Sequence, residues 1–190
     1  MIDRRTFSNV TKCYLSRFYE ILDEMIRGMR DAPLTDSISH NFIVQMIPHH
    51  RAAIEMSQNL LQYTTFVPLQ NIASRIISEQ TKSIEDMEAV LESCSAQENT
   101  GQECCLYRRR LDQITQTMFA DMENACTTNN INANFMREMI PHHLGAIRMS
   151  EHALRFPICP ELVPILRAII TSQRRGVREM RQLLGCGAGC

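Results

Sequence analysis

The stretch Met46-Ile47-Pro48-His49-His50 returns as Met139-Ile140-Pro141-His142-His143, 93 residues further along the chain. Each copy continues with Ala, Ile and Met at matching positions, which are Ala53, Ile54 and Met56 in the first copy and Ala146, Ile147 and Met149 in the second. A five-residue identity that includes a proline and two histidines rarely arises by chance. The chain is therefore interpreted as an internal repeat before anything else.

Around both copies, apolar residues recur at spacings of three and four, which is the pattern of one buried helix face. The polar stretch of residues 95–103 contains Gly101 and predicts a linker between the two copies. We therefore predict an all-α protein of two three-helix units, residues 1–94 and 104–190, packed as a pseudo-twofold, ferritin-like helical bundle. The predicted helices span about residues 9–31, 37–62 and 68–93 and, after an opening helix that ends near residue 127, about residues 130–155 and 161–184.

The composition of the 190 residues is that of a globular protein, with 44% hydrophobic and 22% charged residues. A net charge of -1 provides no positive field for nucleic acid, and no apolar run has the length of a membrane span. The first ten residues lack the apolar region of a secretion signal, so a cytoplasmic location is expected. In that compartment the eight cysteines are expected to be free thiols, with Cys186 and Cys190 as an alternative soft-metal or disulfide pair.

The repeated motif places sulfur and imidazole side chains close together on one helix. Met46 precedes His49 by three residues and His50 by four, and side chains at these spacings meet on a helix surface. On a helical wheel His50 lies near the centre of the buried arc and His49 at its edge, so we expect His49 and His142 to be the more accessible pair and His50 and His143 the more buried one. The candidate metal ligands are Met46, His49, His50, Met56, Met139, His142, His143 and Met149, with Met25, Met29, Met87, Met118, Met122 and Met180 as further candidates from the other helices.

Thioether and imidazole groups favour Cu(I), and by extension Ag(I), over Mg, Ca or Mn. A di-iron site of the ferritin type needs inward carboxylates from several helices, whereas Glu138 is matched by Gln45 in the first copy. A catalytic zinc site usually has three protein ligands, and each motif supplies two histidines. The alternative interpretation remains open, because methionines at helical spacing are common core residues and a buried histidine commonly serves packing and hydrogen bonding.

Other polar residues also need an explanation. Pro48 and Pro141 each remove a hydrogen bond inside a helix, while Gln80 and Gln173 lie on otherwise apolar stripes. We expect each glutamine to bond, directly or through one water molecule, to a polar atom of residues 44–50 or 137–143 of its own unit. His40 and His152 have no histidine at the matching position, and we interpret both as surface residues.

With two Met-Ile-Pro-His-His motifs, each followed by Ala and Met, the chain resembles the domain-of-unknown-function family numbered 305. The resemblance implies a ferritin-like helical bundle with the His-His motif on a helix, in one or two copies per chain. Many members of that family are secreted bacterial proteins, and some are linked to copper and silver binding or tolerance. It further implies that the Met and His residues of the two motifs are the functional ones.

The leading functional hypothesis is a protein that binds a soft metal ion, Cu(I) above all, for sequestration or delivery. No arrangement of nucleophile and base and no phosphate-binding loop predicts an enzyme. A helical structural or interaction protein with core histidines is the first alternative, and a metal-dependent redox enzyme is the second. The expected partner is the metal ion, not nucleic acid or a membrane, and a homo-oligomer is left open.

Overall fold

In a computed structural model, which describes residues 7–185, the chain forms six α-helices, and no strand occurs in that range. The helices fall into two triplets of the same order, and the all-α prediction is confirmed. Their bounds are α1 Asn9–Arg30, α2 Ile38–Leu61, α3 Val67–Ser95, α4 Gly101–Glu123, α5 Ile131–Ala153 and α6 Leu162–Gly185.

Side-chain caps explain where the helices begin. The Ser37 hydroxyl accepts a bond from the His40 N–H at the start of α2, and the Asn130 side chain does the same for Ala133 at the start of α5. Thr100 and Glu103 form a capping box at the start of α4. The expected linker, residues 95–103, is therefore too long, because this box begins α4 at Gly101.

Two asparagines found in both copies have a structural role. The Asn41 side chain accepts a bond from the Thr35 N–H and donates one to the Thr35 carbonyl, each at 2.8 Å. Asn134 binds both backbone groups of Thr128 at 2.8 and 2.7 Å. Each asparagine thus fixes the loop that enters its motif helix, which explains its presence in both units without a ligand role.

Within each unit the motif helix is central: α2 contacts α1 and α3, and α5 contacts α4 and α6. Between the units, α2 packs on α5 and α3 packs on α6, so equivalent helices meet each other. This arrangement buries α2 and α5 between the remaining helices and brings the two His-His motifs to the middle of the protein.

The expectation that His152 lies on the surface is wrong. His152 is buried, and its Nε2 donates to the Tyr107 carbonyl at 3.1 Å. At the matching position of the first unit, Asn59 donates to the Tyr14 carbonyl at 3.1 Å. His40 is only partly exposed, since its two ring nitrogens contact the Ser95 hydroxyl and the Pro33 carbonyl.

The expectation of free thiols is wrong for Cys94 and Cys159, which form a disulfide between the end of α3 and the turn before α6. Cys126 is disulfide-bonded as well. The free cysteines of the described part are Cys13, Cys104 and Cys105. Cys186 and Cys190 lie outside the described residues. None of the helices in residues 7–185 combines the length and apolar character needed to cross a bilayer.

Candidate metal centre

All four motif histidines are buried at the centre of the bundle. His49 and His142 are 0% exposed, and His50 and His143 are 1% and 2% exposed. The predicted difference in accessibility is therefore wrong. The reason is the packing of α2 on α5, which covers the wheel edge that one isolated unit would leave open to solvent.

His49 and His142 face each other across the interface between α2 and α5. Their ring centroids are 3.7 Å apart with an angle of 32° between the planes. Each ring lies 5.9 Å from the adjacent histidine of its own motif. The protein therefore gathers four imidazoles, two from each unit, into one group.

The hydrogen bonds of this group leave ring nitrogens without partners. His142 Nε2 lies 3.1 Å from the His49 carbonyl, and because a carbonyl can only accept, Nε2 carries the proton. Nδ1 of His142 then holds a lone pair, and it has no hydrogen-bond partner among residues 7–185. Neither nitrogen of His49 has one there either. Unpaired buried nitrogens cost free energy, which a bound metal ion would recover.

Burial keeps these rings neutral. It lowers the pKa of His50 to about 3 and that of His142 to about 4. The pKa values of His49 and His143 lie well below their usual range, first because of burial and then because of the neighbouring imidazoles. Metal ions bind neutral imidazole, so at neutral pH no proton has to leave first.

A cavity of about 330 Å³ between α3 and α6 reaches His50. Gln80 and Gln173 line it, and both glutamine side chains are buried with Oε1 lacking a hydrogen-bond partner in the described part of the chain. Neither glutamine side chain forms a described hydrogen bond to residues 44–50 or 137–143. The predicted direct bond is therefore wrong, while the water-mediated form of the same bond stays a prediction. Both glutamines share the cavity with His50.

The two units differ in what lies beside Nε2 of the second histidine of each motif, His50 or His143. In the first unit His50 Nε2 lies 3.1 Å from the Ser83 hydroxyl. The matching position in the second unit is Gly176, where an added Cβ would lie 2.9 Å from Cδ2 and 3.0 Å from Nε2 of His143. Only a glycine therefore leaves room for the His143 ring in its present position.

Ion pairs between α3 and α6 cover the His143 side. Arg75 pairs with Glu179, and Arg175 pairs with Glu79. The pocket that His143 lines together with Arg75 and Glu79 measures only about 10 Å³. Access to the imidazoles is thus wider on the His50 side than on the His143 side.

Every methionine in the predicted ligand set is buried, between 0% and 2% exposed. Met180 and His143 both lie within 4 Å of a Cβ added at Gly176, and Met118 packs against Gly145 of the motif helix α5. Met25 and Pro48 line a crevice between α1 and α2. Methionines from flanking helices thus surround the motif helices, as predicted, while their role as ligands stays a prediction.

Sequence reasoning treated Glu138 only as a carboxylate with no match in the first copy and missed its burial. It is the one buried acidic side chain among residues 7–185. The Tyr14 hydroxyl donates to its Oε2 at 2.8 Å, and Oε1 has no partner there. Burial raises the pKa of the Glu138 carboxyl to about 8, although the tyrosine bond opposes the rise. The sequence carried one signal for this residue. The two copies share a tyrosine, Tyr14 and Tyr107, but only the second copy has a carboxylate, Glu138, where the first has Gln45.

The histidines do not form a three-ligand site by themselves. Among histidine, cysteine, aspartate and glutamate in the described range, just one group brings three ligand atoms within 4.8 Å of one another: Cys94, Cys159 and Glu161. A metal ion at the motifs would therefore need imidazole together with thioether sulfur. That donor set suits a soft ion and fits the buried methionines.

Comparison with known proteins gives one family and several similar structures. The family model described as a domain of unknown function (DUF305) matches residues 36–184, a span that contains both motifs. No curated protein matches the chain. CopM in a silver-bound form is 26% identical, with a TM-score of 0.61, covering 82% of this chain and 100% of CopM. Apo CopM is also 26% identical, with a TM-score of 0.60 and coverage of 80% and 98%. A DUF305 fragment from Deinococcus radiodurans, at 22% identity and a TM-score of 0.60, covers 82% of this chain and all of the fragment, and supports the fold alone.

Proposed function

This chain belongs to the DUF305 family, and we propose that it binds a soft monovalent metal ion, Cu(I) above all, for sequestration or delivery. The observation that carries the proposal is the buried group of four neutral imidazoles, in which the nitrogens of His49 and Nδ1 of His142 lack partners among the described residues. The silver-bound form of CopM, a protein of similar fold and 26% identity, supports the same class of ion.

The chemistry of the surroundings agrees with an ion held by soft ligands. Thioether sulfur binds Cu(I) and Ag(I) in preference to hard divalent cations. The single buried carboxyl in residues 7–185, Glu138, has a pKa of about 8 and is largely protonated at neutral pH. A hard-metal site with several carboxylates is therefore disfavoured, and with it a di-iron oxidase.

The test is a titration of the parent protein with Ag(I), and with Cu(I) under reducing conditions in competition with a chromogenic chelator. We expect one ion per motif. Replacing Met46 and Met56 by Leu should preserve the fold at a cost below about 1.5 kcal/mol each. The same double variant should weaken binding in the first motif and leave the second unchanged, and Met139 and Met149 replaced by Leu should do the reverse.

Met136 provides the matched control. It is buried in α5 at 4% exposure, but Ile43 occupies its position in the first unit. Met136→Leu should leave metal binding unaltered. If the Met46/Met56 variant bound Cu(I) as tightly as the parent, the thioethers would not be ligands. A parent with no affinity for any metal would support the alternative, a helical protein whose histidines serve the core.

A further inference from the structure

A second group of metal-binding side chains lies away from the His-His motifs. Cys94 lies in the last turn of α3, Cys159 lies in the turn before α6, and the two form a disulfide between the units. Their positions in the repeat are occupied by Gly187 and Phe66, so this pair is not part of the duplicated pattern. The pair is therefore independent of the two motifs.

The backbone holds both cysteines in place without help from their sulfur atoms. The Ser37 hydroxyl donates to the Cys94 carbonyl at 3.1 Å, and the Cys159 N–H donates to the Ser39 hydroxyl at 2.9 Å. Both serines belong to the first turn of α2 or its cap. The two cysteines, with Cα atoms 5.1 Å apart, would therefore remain neighbours if the sulfur–sulfur bond were broken.

Glu161 completes the group. Its Oε2 lies 2.9 Å from Cys159 Sγ, and since a disulfide sulfur carries no proton, this contact is not a hydrogen bond. The two sulfur atoms and the carboxylate oxygen all lie within 4.8 Å of one another. Cys94 and Cys159 are buried, whereas Glu161 is exposed, so the carboxylate leaves the cluster open to solvent on one side.

In its reduced form this cluster would carry negative charges that a bound cation would neutralise. The N-terminus of α2 beside both cysteines carries the positive end of the helix dipole, which favours thiolate over thiol. Two thiolates and one carboxylate would nevertheless place three negative charges together. Two thiolates select thiophilic ions, and zinc accepts sulfur and carboxylate ligands in one site.

We propose that Cys94, Cys159 and Glu161 form a metal site for a thiophilic divalent cation of the Zn²⁺ class, available only when the disulfide is reduced. A dithiol reductant transfers two electrons and two protons to the protein disulfide and becomes a cyclic disulfide itself. The two protein thiols then release their protons as the cation binds both sulfur atoms and the Glu161 carboxylate. Exchange with an oxidising disulfide reverses the electron transfer, re-forms the Cys94–Cys159 bond and releases the ion.

Cd²⁺ is the probe, because its bonds to thiolate give an ultraviolet charge-transfer absorption. The full chain is titrated in its oxidised form and after reduction and removal of the reductant. We expect the reduced parent to take up one Cd²⁺ more than reduced Cys94→Ser/Cys159→Ser. The oxidised parent should show no such ion at this site. Because Cys126 is also disulfide-bonded, the oxidised and reduced forms are compared again in a Cys126→Ser background, where reduction should add one Cd²⁺ even if the double variant folds poorly.

Glu161→Gln should keep the two cadmium–sulfur bonds but weaken binding roughly tenfold or more, since it removes a direct ligand. Glu92→Gln, an exposed acidic residue two positions before Cys94, is the matched control and should bind as the parent does. The proposal is overturned if reduction adds no Cd²⁺ beyond that bound by the Cys94→Ser/Cys159→Ser variant, or if Glu161→Gln and Glu92→Gln behave alike.

Discussion

Gly145 of the motif helix α5 lies close against the Met118 side chain of the flanking helix α4. An added Cβ there would lie 2.0 Å from Sδ, 2.7 Å from Cγ and 3.2 Å from Cβ of Met118 on α4. Optimal carbon contacts are about 3.5–4.0 Å, so the whole Met118 side chain, not only its end, would have to move. Met118 is itself only 1% exposed, so its side chain cannot move aside into solvent.

Gly145→Ala is therefore expected to destabilise the protein. Alanine favours the helix by about 1 kcal/mol, whereas overpacking costs about 1–3 kcal/mol. We expect a net loss of about 0–2 kcal/mol, measured by urea unfolding, and a fall in Tm of about 2–4 °C for each kcal/mol in a chain of this size. Ala52, the matching residue in the first unit, shows that alanine itself suits this position of the motif helix.

A double-mutant cycle separates the contact from helix propensity. In a Met118→Ala background the overlapping sulfur and Cγ are gone, so Gly145→Ala should be neutral or stabilising by up to about 1 kcal/mol. Gly101→Ala is the control, because nothing lies within 4 Å of an added Cβ at that position. Equal effects of Gly145→Ala in both backgrounds, or a Gly145→Ala protein more stable than the parent, would refute the close-packing argument.

Three further predictions concern buried polar groups, the first two in the metal-free protein. Because the pKa of Glu138 is raised from 4.5 to about 8, its contribution to the free energy of unfolding is complete below pH 4.5 and is lost as pH rises through 8, by up to about 1.4 kcal/mol per pH unit. Glu138→Gln should abolish this slope in urea unfolding, and an unchanged pH profile of the variant would contradict the assignment. The pKa values of His50 and His142 are lowered from 6.5 to about 3 and about 4, so the stability that these neutral rings contribute is present above pH 6.5 and is lost as pH falls towards 4. A urea midpoint that stayed constant over that pH range would count against neutral buried rings. Ser83→Ala removes the hydrogen bond at His50 Nε2 and should lower the free energy of unfolding by about 0.5–1.5 kcal/mol. Ag(I) binding at the second motif should stay unchanged, whereas weaker binding at both motifs would show that the units are coupled.

The arrangement of helices could be predicted from local patterns. The bounds of α2 and α5 follow from apolar spacing and from the caps Ser37 and Asn130, both of which act within a few residues of the chain. Burial of the motif methionines follows from the same spacing. The accessibility of the histidines was predicted wrongly because a wheel describes one helix, while the exposure of His49 depends on α5 packing over it.

The sequence by itself determined the repeat, the six helices and the placing of histidines and methionines together on the motif helices, because each depends on residue type and on spacing within one helix. The tertiary structure alone decided three features: the stacking of His49 on His142, the bond from Tyr14 to Glu138 and the disulfide between Cys94 and Cys159. These contacts join residues that are between 65 and 124 positions apart. The physical reason is that such contacts depend on the relative position of whole helices, which arises from the packing of the entire core and leaves no periodic signal along the chain.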